Sequence, residues 1–158
     1  MIFYNTMKLG LLNREEVFNF VEFNITGNSE IYFKCDSESK FLNIDLFNIF
    51  VGCFERSNHL YDFYGATKFN SRNLIPLINE LKENLNKINN INSLEELREY
   101  LSSIFLGKNL FEELERRDKN WKSRWRAYAR KLIQINQSLI NLCEECVAEE
   151  RTMWVINF

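Results

Sequence analysis

Eight residues, Trp121, Trp125, Tyr128, Leu132, Ile135, Leu139, Leu142 and Cys146, recur at spacings that alternate four and three without a break. On an α-helix that spacing puts all eight side chains on one side, as a seam nearly four heptads long. A seam of this size must be covered by the rest of the chain or by another subunit. Ile133, Ile140 and Val147 widen it, which favours packing inside a domain over a narrow coiled coil. A long helical region over residues 109–150 is therefore the first expectation.

The rest of the second half has helical signals too. Leu74, Leu77, Ile78, Leu81, Leu85 and Ile88 form an amphipathic stripe after Ser71, a plausible N-cap, with Pro76 in the first turns. The run Asn89-Asn90-Ile91-Asn92 ends that helix. Ser93-Leu94-Glu95-Glu96 has the pattern of a capping box, in which a serine and a glutamate satisfy free amides at the helix start. Leu94, Leu97, Leu101 and Ile104 follow on one face, and Gly107 is a natural stop.

The first half reads differently. Eleven of the 14 phenylalanines fall before residue 80. Residues 16–25 alternate as a strand does, with Val17, Val21, Phe23 and Ile25 on one parity. Residues 26–29 form a turn, with Gly27 and Asn28 able to take positive φ. Residues 30–35 and 41–46 read as second and third strands of an antiparallel meander, separated by a polar turn over 36–40. Residues 45–54 fit both periods, a strand or a short helix packed on the sheet. Residues 57–70 read as loop. Residues 152–158 are rich in strand formers and are expected to return to the sheet. The expected fold class is α+β: an N-terminal antiparallel sheet packed against a helical C-terminal half, with a C-terminal strand returning to the sheet. With 158 residues and neither linker nor repeat, a single domain over 1–158 is expected.

Composition narrows the function classes. No run approaches 18 apolar residues and no basic region leads an apolar stretch at the N-terminus. Neither a membrane partner nor a signal peptide is expected, and the expected localisation is cytoplasmic. The four cysteines should then be reduced thiols. Net charge is −2, but residues 116–131 hold eight basic groups and one acid, a local balance of +7 that leaves −9 elsewhere. So uneven a layout steers encounters with charged partners.

Catalytic chemistry has little to stand on. Cys143-Glu144-Glu145-Cys146 is a CxxC near the C-terminal end of a helix, where the dipole and its glutamates both raise a thiol pKa. As half a zinc site it lacks a second pair, and His59 is the only histidine. No phosphate-binding loop, nucleophile elbow or metalloprotease signature is present. We expect no enzyme activity, no catalytic residues, no metal and no cofactor. The stretch Lys119 to Tyr128 mixes bases and aromatics, but at helical spacing Lys119, Lys122, Arg126 and Arg130 lie opposite Trp121, Trp125 and Tyr128. A base-stacking platform needs both on one surface, so nucleic acid is not the expected partner.

Two segments carry a family resemblance. Tyr61-Asp62-Phe63-Tyr64-Gly65-Ala66-Thr67 is an aromatic loop that ends in glycine before a helix, and Thr152-Met153-Trp154-Val155-Ile156 closes a long amphipathic helix with acidic residues. Together they resemble small immunity proteins of bacterial polymorphic-toxin and contact-dependent growth inhibition systems, over about a fifth of the chain. The resemblance implies a cytoplasmic protein that binds and neutralises a cognate toxin C-terminal domain. A nuclease toxin with a basic cleft would favour acidic and aromatic contacts; on that footing Asp36, Glu38, Tyr61, Asp62 and Tyr64 are the expected partner-binding residues. The alternative is a nucleic-acid-associated or regulatory binding protein that uses the basic helix face 119–131.

Overall fold

A computed structural model of the chain describes residues 10–12 and 19–157. In chain order its elements are β1 (Phe20–Asn24), β2 (Lys40–Asn43), α1 (Ile44–Phe47), α2 (Val51–Ser57), β3 (Ala66–Phe69), α3 (Ser71–Asn89), α4 (Leu94–Ser102), α5 (Lys108–Arg117), a 3-10 turn (Trp121–Arg124), α6 (Trp125–Ala148) and β4 (Met153–Asn157). The strands make one antiparallel sheet in the order β2-β1-β4-β3. The fold is α+β, with an N-terminal strand pair and a C-terminal strand that returns to the sheet's interior.

The two faces of the sheet have different covers. Val21, Phe23, Leu42, Phe69, Met153 and Val155 belong to one apolar cluster with the helices. The alternate residues, Glu22 opposite both Phe41 and Ile156 and Asn24 opposite Trp154, face the other way. A long loop over residues 25–39 lies against that second face. Residues 16–18 of the first expected strand lie outside the described residues.

The meander is corrected. Residues 30–35 form no strand; β2 pairs directly with β1 instead. The physical reason is occupancy: β1 already has β2 on one edge and β4 on the other, so no ladder remains for a hairpin partner. The turn forms later than expected, over residues 28–31, where Asn28 Oδ1 accepts the amides of Glu30 at 2.7 Å and Ile31 at 2.9 Å, and neither Gly27 nor Asn28 takes positive φ. The strand expected over 41–46 ends at Asn43, and the ambiguous residues that follow resolve into two short helices, α1 and α2, joined by a turn over 48–50. Phe47, Phe50 and Phe54 are fully buried at helical spacing, each worth about 2–3 kcal/mol of burial. Asn43 starts α1 by accepting the Asp45 amide at 2.8 Å. Within the expected loop 57–70 the structure places β3, an edge strand of four residues.

Helix α3 is capped by Asn70, whose side chain accepts the Arg72 amide at 3.0 Å, and not by Ser71. The α4 box forms with a shift: Ser93 accepts the Glu96 amide, while Glu96 reaches back to the amide of Asn92. Gly107 does not end α4, which stops at Ser102. It sits where a Cβ would lie 2.1 Å from the Leu101 carbonyl oxygen, so the close approach itself requires glycine.

The expected long helix is broken in two. At Asp118 the backbone turns extended (φ −137°) and the side chain accepts the Asn120 amide at 3.0 Å. That local bond competes with the helix and redirects the chain. The seam survives the break. Trp121 is buried against Phe111, with ring centres 5.5 Å apart, and Leu132, Ile135, Leu139, Leu142 and Cys146 are buried along α6.

Its principal cover is α3, and a polar network crosses their contact. Tyr100 donates to Asn84 Oδ1 at 2.7 Å, Asn84 donates to Asn136 Oδ1 at 2.9 Å, and Asn136 donates to the Leu81 carbonyl at 2.8 Å. Buried amides paired in this way fix one register of helix on helix. Asn136→Ala leaves the Asn84 amide and the Leu81 carbonyl without these partners. It is expected to lower stability by about 2–3 kcal/mol in urea melts followed by far-UV circular dichroism.

Candidate functional site: two loops beside the sheet

Loop 25–39 has no regular structure, yet buried side chains of β1 hold it. Glu22 is fully buried, and its Oε1 accepts the Cys35 amide at 2.7 Å and the Ser39 hydroxyl at 2.7 Å. Its second oxygen is buried without a partner among the described residues. Asn24, also fully buried, donates to the Phe33 carbonyl at 2.7 Å and accepts the Gly27 amide at 3.1 Å. Cys35 adopts φ +57°, which costs a non-glycine residue about 1 kcal/mol; the Glu22 bond to its amide offsets that cost.

The β3–β4 side holds the same loop. The Trp154 indole donates to the Asn28 carbonyl at 2.7 Å, the Tyr32 ring lies 4.6 Å from the Trp154 ring, and the Lys68 ammonium donates to the Ser29 carbonyl at 2.9 Å. Fixed at both ends, the loop displays Ile31, 57% exposed, and Phe33, 73% exposed.

A second loop, residues 58–65, leads into β3, so the glycine that ends the aromatic loop precedes a strand and not the expected helix. Asn58 accepts the Leu60 amide at 3.0 Å and donates to the Lys68 carbonyl at 3.1 Å. Asp62 accepts the Tyr64 amide at 2.9 Å, while its own amide donates to the Thr67 hydroxyl at 2.9 Å. The Gly65 carbonyl accepts the Asn157 amide of β4 at 3.0 Å. Leu60, 72% exposed, and Tyr64, 89% exposed, project from this frame.

The five expected contact residues thus divide. Tyr64 points outward, its ring edge-on to Phe63 at 5.1 Å. Tyr61 packs inward, 6.2 Å from the Phe54 ring and 6.4 Å from the Phe69 ring. Burial of its hydroxyl pushes the Tyr61 pKa well above the ordinary tyrosine value. Asp62 builds the turn beneath Tyr64. Asp36 builds another, accepting the Glu38 amide at 2.8 Å, and the exposed Glu38 stands beside it. Asp36 and Glu38 lie at the far end of the first loop, over β1 and β2. The displayed Ile31, Phe33 and Leu60 were not among the expected residues; Glu30 to Lys34 has the composition of a strand, and that propensity masks its role as a presented edge.

No protein-family model, curated protein or solved structure matches this chain.

Reactive groups are placed as follows. Cys53, Cys143 and Cys146 are buried. Desolvation pushes the thiols of Cys53 and Cys146 up to about 11, and Cys143 higher still. His59 is exposed on the second loop. Among the described residues no three His, Cys, Asp or Glu side chains are grouped to hold a metal ion. No helix is long and apolar enough to cross a membrane among the described residues.

The basic stretch is partly neutralised. Arg116 and Arg117 pair with Glu113, Lys122 pairs with Glu115 at 3.3 Å, and Arg124 pairs with Asp118 at 3.4 Å. Half of the eight cations therefore face carboxylates of α5 and its C-terminal cap. The Asp118 carboxyl is held below the usual range, mainly by the Tyr128 hydroxyl that donates to it at 2.8 Å.

Two outcomes follow from these placements. Glu22→Ala should speed amide hydrogen exchange at Cys35 by about tenfold or more, with little change in the α3–α6 core, in a site-resolved exchange experiment. Under native conditions at neutral pH, a thiol-specific aromatic disulfide reagent should label Cys35, which is half-buried, well before the other three. Cys53, Cys143 and Cys146 should react only as the protein unfolds in denaturant.

Proposed function

We propose that this chain is a protein-binding module that neutralises a cognate bacterial toxin domain in the cytoplasm, using the two loops beside the sheet as its contact surface. The observation that carries the reading is that large apolar side chains, Phe33 and Tyr64 foremost, are held outward on loops whose backbones are fixed from beneath. Aromatic anchors of this kind dominate the energetics of protein interfaces. Loops fixed before binding lose less conformational entropy on association. The resemblance of residues 61–67 to immunity proteins supports the partner class, and within that segment Asp62 serves Tyr64 by holding its turn.

A protein partner is favoured over nucleic acid because four of the eight bases in 116–131 already face carboxylates. It is favoured over a catalytic role because the buried thiols have raised pKa values, which leave little thiolate at neutral pH.

The test is co-expression with the toxin domain co-encoded with this chain, followed by gel filtration and calorimetry. A stable complex and restored growth are expected. Phe33→Ala and Tyr64→Ala should each weaken binding by about tenfold to a hundredfold, within the range of interface anchors. Absence of a complex, or an affinity indifferent to both substitutions, overturns the proposal.

A further inference from the structure

Helices α3 and α6 run antiparallel, with Asn84 and Leu81 beside Asn136 and Ile88 farther toward the start of α6. Helix α3 ends at Asn89, whereas α6 begins at Trp125 and so overruns it. The link from α3 to α4 crosses this overhang and leaves a groove of about 240 Å³. Its floor is aliphatic: Ile88, Ile91 and Ile133. Its rim is cationic: Arg126 and Arg130, four residues apart and so on one face of α6.

Neither arginine pairs with a carboxylate among the described residues, unlike four neighbours in the same basic stretch. The Arg126 guanidinium lies over the Trp125 ring, 4.9 Å from its centre. A guanidinium placed over a ring face can still donate from its edges to a bidentate acceptor. Asn89 and Asn92 add amides to the other wall.

We propose that this groove binds an acidic amphipathic segment of a partner protein. Carboxylates of that segment bond to Arg126 and Arg130, and its aliphatic side chains cover the isoleucine floor. Charge complementarity selects the acidic character, since two guanidiniums without a carboxylate partner among the described residues flank the site. The floor selects against a nucleic acid. It offers isoleucines where a stacking surface would be needed, and Arg126 already covers a face of the one aromatic ring. The groove shares no residue with the two loops, so this surface would exist whether or not the loops bind a toxin.

The test uses the whole chain, labelled with nitrogen-15, and a synthetic helical peptide of about 15 residues built from Leu, Glu and Ala. Saturable shifts confined to the amides of residues 88–92 and 125–133 are expected. The double substitution Arg126→Glu and Arg130→Glu, at exposed positions, should weaken binding by at least about tenfold while circular dichroism shows the fold retained. Tyr64→Ala should bind the peptide as the unaltered chain does. A control peptide with Gln in place of Glu should bind at least about tenfold more weakly. No shifts at about 1 mM peptide, equal binding of the Gln control, or tighter binding of an oligothymidylate to the same amides overturns the proposal.

Discussion

The sheet depends on its last strand. β4 lies between β1 and β3 and supplies the ladder for both. Without it, β1–β2 is a two-stranded ribbon, marginal on its own, and β3 has no strand partner. Pairing the final residues with residues 21–24 and 66–69 makes the sheet non-local, with a large closure entropy. Helix α6 has to deliver β4 to its slot. It ends with the Arg151 amide on the Cys146 carbonyl at 2.8 Å and the Glu150 amide on Val147 at 3.3 Å. That is a reversal with Glu150 at φ +54°, a position glycine would fill more cheaply by about 1 kcal/mol. The chain tolerates the strain because the strand beyond it is buried and paired on both edges.

What the sequence discloses follows from where periodicity is unopposed. The seam from Trp121 to Cys146, the α3 stripe and the Ser93 start of α4 were all legible, because each has burial on one side and water on the other. The returning strand was legible too, from its run of β-formers. Period alone could not reveal the break at Asp118, since Trp121 and Trp125 keep the helical spacing across it. An Asx turn there displaces the helix while the side chains still meet the core. Residues 30–35 failed for the opposite reason. Their propensity for strand is real, but no ladder was open to them, and tertiary occupancy prevailed over local preference.

The candidate surface was half legible for the same physical cause. Tyr61 and Tyr64 stand three residues apart in one aromatic loop, and nothing in their identity tells which turns inward. Packing decides: Phe54 and Phe69 provide a site for Tyr61, while the Asp62 turn aims Tyr64 away. Glu22 is the least legible residue of all. In an alternating strand it reads as a solvent-facing charge, whereas in the fold it lies beneath loop 25–39 and ties that loop down. Buried polar groups on a sheet's second face announce themselves only once the cover is known.

That arrangement separates what holds the loops from what the loops display. Asn24 bonds backbone groups of its loop, Asn58 bonds the Leu60 amide and the Lys68 carbonyl of β3, Asp62 bonds its own turn's amide, and Glu22 bonds the Cys35 amide and the Ser39 hydroxyl; none of these partners is a displayed side chain. Backbone bonds are indifferent to the side chains of Ile31, Phe33, Leu60 and Tyr64 above them. The displayed residues can therefore be exchanged with little effect on the sheet, while loss of a buried anchor disturbs every residue displayed over it. Opposite consequences are thus assigned to the two sets: substitutions in the exposed set alter what is bound, and substitutions in the buried set alter how rigidly anything can be bound. The Arg126–Arg130 groove obeys another logic, because its floor is built from residues that also pack α3 against α6. Recognition there is tied to helix register, and the Asn84–Asn136 pair that fixes the register supports the groove as well.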